Sequence, residues 1–206
     1  MAGVTAPFVG CSRHRMQLDG QGVTTLVCFH GCPLQCHWCL NPFTLSPITK
    51  KEIMTPRQLF DKVRTDELYF LATGGGVTFG GGEPLLYSDF IQEFRRICGT
   101  GWHLCAETSL NVPWDNVAKV ASFIDHFYID CKDTNPDIYR HYTGQDNAQM
   151  LSNLRKLLEI VEPECITVRI PLIPEFNAEA DQIRSMNLLQ KMGVKNFDLF
   201  TYKTFI

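Results

Sequence analysis

Three cysteines crowd into the stretch Gly31-Cys32-Pro33-Leu34-Gln35-Cys36-His37-Trp38-Cys39-Leu40-Asn41, at Cys-x3-Cys-x2-Cys spacing. A three-thiolate loop this tight grips one compact metal centre and leaves it one ligand short. Structural zinc wants four closed tetrahedral ligands, usually as two separated pairs. Cys28 is available as a fourth ligand, with His30 or His37 as substitutes. Cys28, however, lies inside an apolar run four residues before the trio. Iron–sulfur clusters are held by thiolates in tight loops, and a missing fourth thiolate leaves one iron for an exogenous group. The spacing therefore fits an open [4Fe–4S] site better than zinc. Three core cysteines would rarely fall in one loop by chance.

Other residues carry chemistry beside that loop. Gly80-Gly81-Gly82-Glu83 reads as a Gly-rich turn that lets a ligand approach the backbone. The Glu83 carboxylate can accept hydrogen bonds from an ammonium group. Asp130 and Lys132 are two apart on extended chain and so face the same side. The bland reading of that pair is a surface ion pair worth little. Arg169 stands mid-strand between Val168 and Ile170. A charge there must be paired or must line a cavity. Glu107-Thr108 and Tyr202-Lys203 are further polar pairs at strand ends, with Lys203 equally readable as a solvated terminal lysine.

These residues need elements to position them. Residues 1–22 read as polar and glycine-bearing, with a turn at Leu18-Asp19-Gly20-Gln21-Gly22. Val23 to Phe29 is β-branched and apolar, a buried strand. Thr55-Pro56 opens a helix bearing Leu59, Phe60 and Val63. Val77 to Phe79 is a short strand, and Ser88 is placed to cap a helix carrying Phe90, Ile91 and Phe94. Strands are expected over 102–106, 123–129, 165–170 and 196–201. Helices are expected over 113–121, 148–161 and 178–192, the last stopped by Gly193. Residues 133–145 read as a loop.

Strand–helix alternation of this kind implies a parallel sheet with right-handed crossovers. Six strands and about five helices are too few for a closed eight-fold barrel. The expectation is an open (β/α)6 partial TIM barrel, a doubly wound sheet being the alternative, and one domain over residues 1–206. The unusual residues all follow strands. In parallel α/β folds the C-terminal rim is where sites assemble, so the cysteines, glycines and charges should converge there.

Composition narrows the class. Of 206 residues 45% are hydrophobic and 20% charged, with a net charge of -3, which is ordinary for a globular domain. Neither a nucleic-acid groove nor a membrane surface is suggested. No apolar run approaches the ~20 residues of a membrane span, and no secretory signal is read at the start. Nine cysteines, an odd number, fit reduced thiols in a cytoplasmic protein better than a disulfide scaffold. Cys98, Cys105 and Cys165 read as small buried hydrophobes.

At this point the chain resembles the radical SAM enzymes, and within them the activating enzymes of glycyl radical enzymes. Leu18-Asp19-Gly20-Gln21-Gly22 is similar to that family's Asp-Gly-Pro-Gly segment. Phe29-His30-Gly31-Cys32 to Asn41 resembles its cysteine loop, and Gly75 to Leu85 its strand-plus-Gly-Gly-Glu segment. Asp130-Cys131-Lys132 resembles its Asp-Leu-Lys motif. Arg169 and Pro174 stand where the family has an Arg strand ending in proline.

The resemblance implies that Cys32, Cys36 and Cys39 ligate three irons of one [4Fe–4S] cluster. S-adenosylmethionine (SAM) would chelate the fourth. Gly81, Gly82 and Glu83 would hold its amino end, and Asp130, Lys132 and Lys203 the rest. Trp38 and Leu40 would pack near the adenine, with Glu107, Thr108 and Arg169 as further cofactor contacts. One electron would cleave SAM to methionine and a 5′-deoxyadenosyl radical, which would abstract hydrogen from a glycine of a partner glycyl radical enzyme. A flavodoxin- or ferredoxin-type protein would donate the electron. The cofactors do the hard step, so no side chain is expected as acid or base.

Departures bear on the partner more than on the SAM chemistry. Leu40 stands where the best-known members have His, Glu107 replaces Asp, and Ser109-Leu110 replaces Asn-Gly. Lys203 stands where His is common, and the eight-cysteine ferredoxin-like insertion of many activases is absent. Two other functions compete: a radical SAM enzyme acting on a small molecule or peptide, and a zinc-stabilised binding module.

Overall fold

Along each central strand, apolar and polar residues alternate, and the alternation sorts the two faces of the sheet. Val27, Phe29, Val77, Phe79, Leu104, Ala106, Phe127, Ile129, Val168 and Ile170 are all buried, in one core. The intervening positions include Leu26, Glu107, Asp130, Arg169, Asp198 and Phe200, which line a cavity on the other face. One face packs under helices and the other is left for chemistry.

The computed structural model describes residues 3–202. In chain order the elements are β1 (Ala6–Met16), β2 (Val23–Phe29), β3 (Glu52–Met54), α1 (Pro56–Val63) and α2 (Glu67–Thr73). There follow β4 (Gly76–Gly81), α3 (Ser88–Cys98), β5 (His103–Thr108), α4 (Trp114–Ala121) and β6 (His126–Asp130). The chain then forms α5 (Pro136–Thr143), α6 (Ala148–Leu158), β7 (Ile166–Leu172), α7 (Glu179–Lys191) and β8 (Asn196–Thr201). The sheet order is β3-β1-β2-β4-β5-β6-β7-β8. From β2 to β8 every pairing is parallel, which gives the six strands expected of an open (β/α)6 partial barrel. β1 and β3 extend one edge in antiparallel pairing.

Several expectations are corrected. The polar start is a strand, because Ala6 and Phe8 are buried while the rest of β1 only needs β2 beside it. That strand is irregular, with register shifts against β2 and a positive φ at His14. Residues 136–143, read as loop, form α5. Asn135 caps it by accepting from Asp137 N, Pro136 opens it, and Gly144 ends it in the left-handed region. Ser88 is not a cap: it already has helical backbone, following a 3-10 turn that Glu83 caps. α2 was not anticipated. At its start the buried Asp66 carboxylate accepts from Arg13 and Thr25 and meets His14, tying α2 to β1 and β2.

Candidate active site at the C-terminal rim

Twelve expected site residues meet at one cavity of about 440 Å³. Its wall includes Cys32, Cys36, Cys39 and Leu40 from the loop after β2. It includes Gly81 at the end of β4, Gly82 and Glu83 just after it, and Glu107 and Thr108 at the end of β5. Asp130, Lys132 and Arg169 complete the set from β6 and β7. Trp38 is not on this wall. It packs into a second apolar cluster with Tyr142, Ile173, Tyr202 and Phe176. Lys203 lies outside the described residues.

The cysteine loop is pinned on two sides. On one side Gly82 N donates to Phe29 O (3.0 Å) and Glu83 N to Gly31 O (2.8 Å), carrying the β2–β4 pairing past the strand ends. On the other, Gln35 N donates to Thr143 O (2.9 Å) and His37 N to Tyr142 O (3.0 Å). Those carbonyls belong to the last turn of α5, whose orphan acceptors the loop satisfies.

The Gly-rich turn has a packing reason of its own. A Cβ on Gly82 would lie 2.2 Å from Gly31 O, and one on Gly81 2.7 Å from Cys28 Cα. Gly81 also holds a φ of 85°. The Glu83 carboxylate is buried and fully engaged. One oxygen accepts from Thr108 Oγ1 (2.7 Å) and Leu85 N (3.1 Å), the other from Ser109 N (2.8 Å) and Ser109 Oγ (2.7 Å). Four donors occupy the roughly four lone-pair sites a carboxylate has. Burial still pushes Glu83 above the usual carboxylate range, with those donors opposing. Just beyond, Leu110 takes a left-handed backbone (φ 54°) although it carries a buried side chain. Its N donates to Thr108 Oγ1, and Asn153 of α6 donates to the carbonyls of both Leu110 and Val112 at 2.8 Å.

A charge network crosses the strand ends. Arg169 donates to Asp130 Oδ1 (2.7 Å) through Nε and to Glu107 Oε1 (2.7 Å) through Nη1. Lys132 Nζ reaches Asp130 Oδ2 (3.0 Å) and Tyr202 Oη (3.1 Å). The register explains the meeting, because Asp130 on β6 is the direct partner of Arg169 on β7. Burial alone would raise Asp130, but Arg169 and Lys132 outweigh it and hold the carboxyl at about 2. Burial pushes Glu107 up, with Arg169 opposing only in part. Burial would lower Lys132, but Asp130 together with Tyr202, Cys36 and Tyr142 outweighs it and raises Lys132 well above its usual value.

Comparison with protein families matches residues 26–196 to the radical SAM superfamily. The chain belongs to that superfamily. Among curated relatives, the (2S)-3-sulfopropanediol dehydratase activating enzyme of Klebsiella oxytoca is 30% identical, over 86% of this chain and 75% of that protein. The pyruvate formate-lyase-activating enzyme of Clostridium pasteurianum is also 30% identical, over 91% of this chain and 78% of that protein. This radical SAM enzyme is thus closely related to the activases that its motifs resemble. Its fold matches SuiB of Streptococcus suis in the SAM-bound structure, with a TM-score of 0.65 at 14% identity, over 84% of this chain. This chain spans only 39% of SuiB, so that likeness concerns the fold alone.

The donor set suits a cluster. Burial pushes the Cys32 thiol up to about 12 and Cys36 to about 11. A thiolate at either position needs a neighbouring cation, and a bound metal supplies one. Among the described residues, no three His, Cys, Asp or Glu side chains gather tightly enough for a single ion. Cys32, Cys36 and Cys39 line one cavity, so three thiolates can face a single group bound there.

Some of the wall was not anticipated. Arg15 and Asp19 form an ion pair on it, and Asn41, Ser109, Asp198 and Phe200 join them, beside Tyr202, which the strand-end pattern had marked. Asp19 and Asn41 lie inside motifs already noted. Asp198 and Phe200 were findable, since they continue the alternation of β8 beside Arg169. Arg15 had no signal, because β1 itself was not foreseen. Among the described residues no helix is long and apolar enough to cross a membrane.

Proposed function

We propose that this enzyme activates a glycyl radical enzyme. In this reading Cys32, Cys36 and Cys39 hold three irons of one [4Fe–4S] cluster, and SAM fills the cavity beside it. Held by those three cysteines, the cluster would supply the electron for reductive cleavage of SAM, the chemistry that would lead to hydrogen abstraction from a glycine Cα of the partner. The remaining work is positioning. The backbone of Gly81 and Gly82 runs along the amino end of SAM, and Glu83 fixes that turn by its four hydrogen bonds. Asp130, Lys132 and Arg169 offer fixed charges to the polar groups, while Glu107 holds Arg169 in place and Thr108 holds Glu83. Leu40 supplies an apolar wall for the adenine, with Trp38 packed behind the loop.

One observation carries the proposal: cysteines, Gly-Gly-Glu turn and charge network all face one cavity at the strand ends. We further propose that residues 1–206 act as one radical SAM domain in the cytoplasm, with a flavodoxin- or ferredoxin-type donor, and with neither nucleic acid nor membrane as a partner.

The test reconstitutes the protein anaerobically with iron and sulfide, then reduces it with SAM and candidate glycyl radical enzymes. A glycine-centred EPR doublet is expected with the right partner. SAM cleavage with no doublet from any candidate would redirect the reading to a small-molecule or peptide substrate.

A further inference from the structure

Phe176 lies in the loop between β7 and α7, half-buried. Its ring centroid is 5.1 Å from that of His37, 4.9 Å from His141 and 5.0 Å from Tyr142. One ring therefore touches the cysteine loop and the last turn of α5 together. It covers the same junction where Gln35 N and His37 N donate to the carbonyls of Thr143 and Tyr142. Cys36 and Trp38 pack into the apolar cluster to which this ring adds.

The loop is shaped to aim that ring. Glu175, immediately before it, takes a left-handed φ of 72°, a backbone that strains a non-glycine residue. Asn177, immediately after, accepts from Ile173 N (2.6 Å) and donates to Asp133 Oδ2 and Pro171 O (both 3.1 Å). A strained residue between firm anchors points to a constraint worth keeping. The ring also enlarges the apolar cluster against which Cys36 packs, and an apolar shell controls solvent access to a metal group.

We infer that Phe176 is a positioning residue for the cysteine loop. It clamps residues 35–38 against α5 and keeps water off the Cys36 flank. The inference rests on the cluster proposed at Cys32, Cys36 and Cys39. Phe176 acts through the loop, by way of His37, and not on SAM or a ligand sulfur.

The test has two arms, each on the parent, Phe176→Ala and Phe176→Leu. Backbone amide hydrogen exchange is read on the metal-free protein, and iron release to a chelator on the reconstituted one. In Phe176→Ala the amides of Gln35 and His37 should exchange at least roughly tenfold faster while those of β4 keep their parental rates. Phe176→Leu should recover much of the protection, and iron loss should follow the same order. Parental exchange at Gln35 and His37 in Phe176→Ala would overturn the inference. So would an equal acceleration in the loop and in β4, which is what general destabilisation produces. A parent that takes up no iron and sulfide would overturn the cluster reading instead, and the metal-free arm would still decide whether Phe176 holds the loop.

Discussion

Glu83 spends its carboxylate on the protein. Replacing it with Gln turns one oxygen into a donor that must face Ser109 N–H or Leu85 N–H. A buried donor facing a donor should cost about 1–3 kcal/mol. Denaturant unfolding of Glu83→Gln measures this, and an unchanged midpoint would show that the four bonds do not hold the turn. Asp130 predicts a pH effect. Its folded-state pKa, about 2, is depressed from the ordinary value of 3.8 because Arg169 and Lys132 outweigh its burial. The stability it contributes is therefore present above pH ~4 and lost as pH falls towards ~2, on the order of 2 kcal/mol. Asp130→Asn should flatten that part of the acid limb in an unfolding-versus-pH series, whereas an unaltered limb would assign it to other carboxylates. At neutral pH the same variant should be less stable than the parent, since Arg169 and Lys132 lose a charge they share.

Among the elements, α5 carries a role out of proportion to its eight residues, because its final carbonyls receive the cysteine loop. Removing its cap with Asn135→Ala should lower stability by about 1 kcal/mol. Thermal unfolding tests this, and no change would mean that tertiary packing alone holds the helix. The sequence contained the needed marks: Asn135-Pro136 at one end and Gly144 at the other. They stand out weakly because the apolar stripe between them is short, with Tyr139 and Tyr142 facing in and Ile138 only partly covered. Strands β2 and β8 were legible residue for residue, since each is a β-branched or aromatic run with clear edges. β1 was not legible. Its outer half is Ser, Arg and His, and only pairing with β2 makes such a run a strand. The carboxylates and cations of the cavity were readable as a set, whereas their pairing depended on register, which single strands do not reveal.

The whole molecule divides labour between two faces of one curved sheet. Apolar positions lie under the helices, and their neighbours one residue along build a polar cavity. The loop at its mouth joins β2, β4 and α5, so a metal bound by that loop should stabilise the fold as well as serve the chemistry. A ligand present at a hundred times its dissociation constant adds about 2.7 kcal/mol, and each kcal/mol moves the midpoint of a chain this size by roughly 2–4 °C. Iron–sulfur reconstitution should raise the thermal midpoint by several degrees, and chelation should return it. Identical midpoints with and without metal would place the ligands elsewhere.

Leu110 has a consequence for what can stand at its position. Its left-handed backbone is held by Thr108 from within the turn and by Asn153 from α6, not by the freedom of a glycine. The backbone alone would favour Gly there, yet the buried leucine side chain is part of the core. Leu110→Gly would relieve the turn and open a cavity beneath it, so the most permissive residue for the backbone is not a harmless one for the fold.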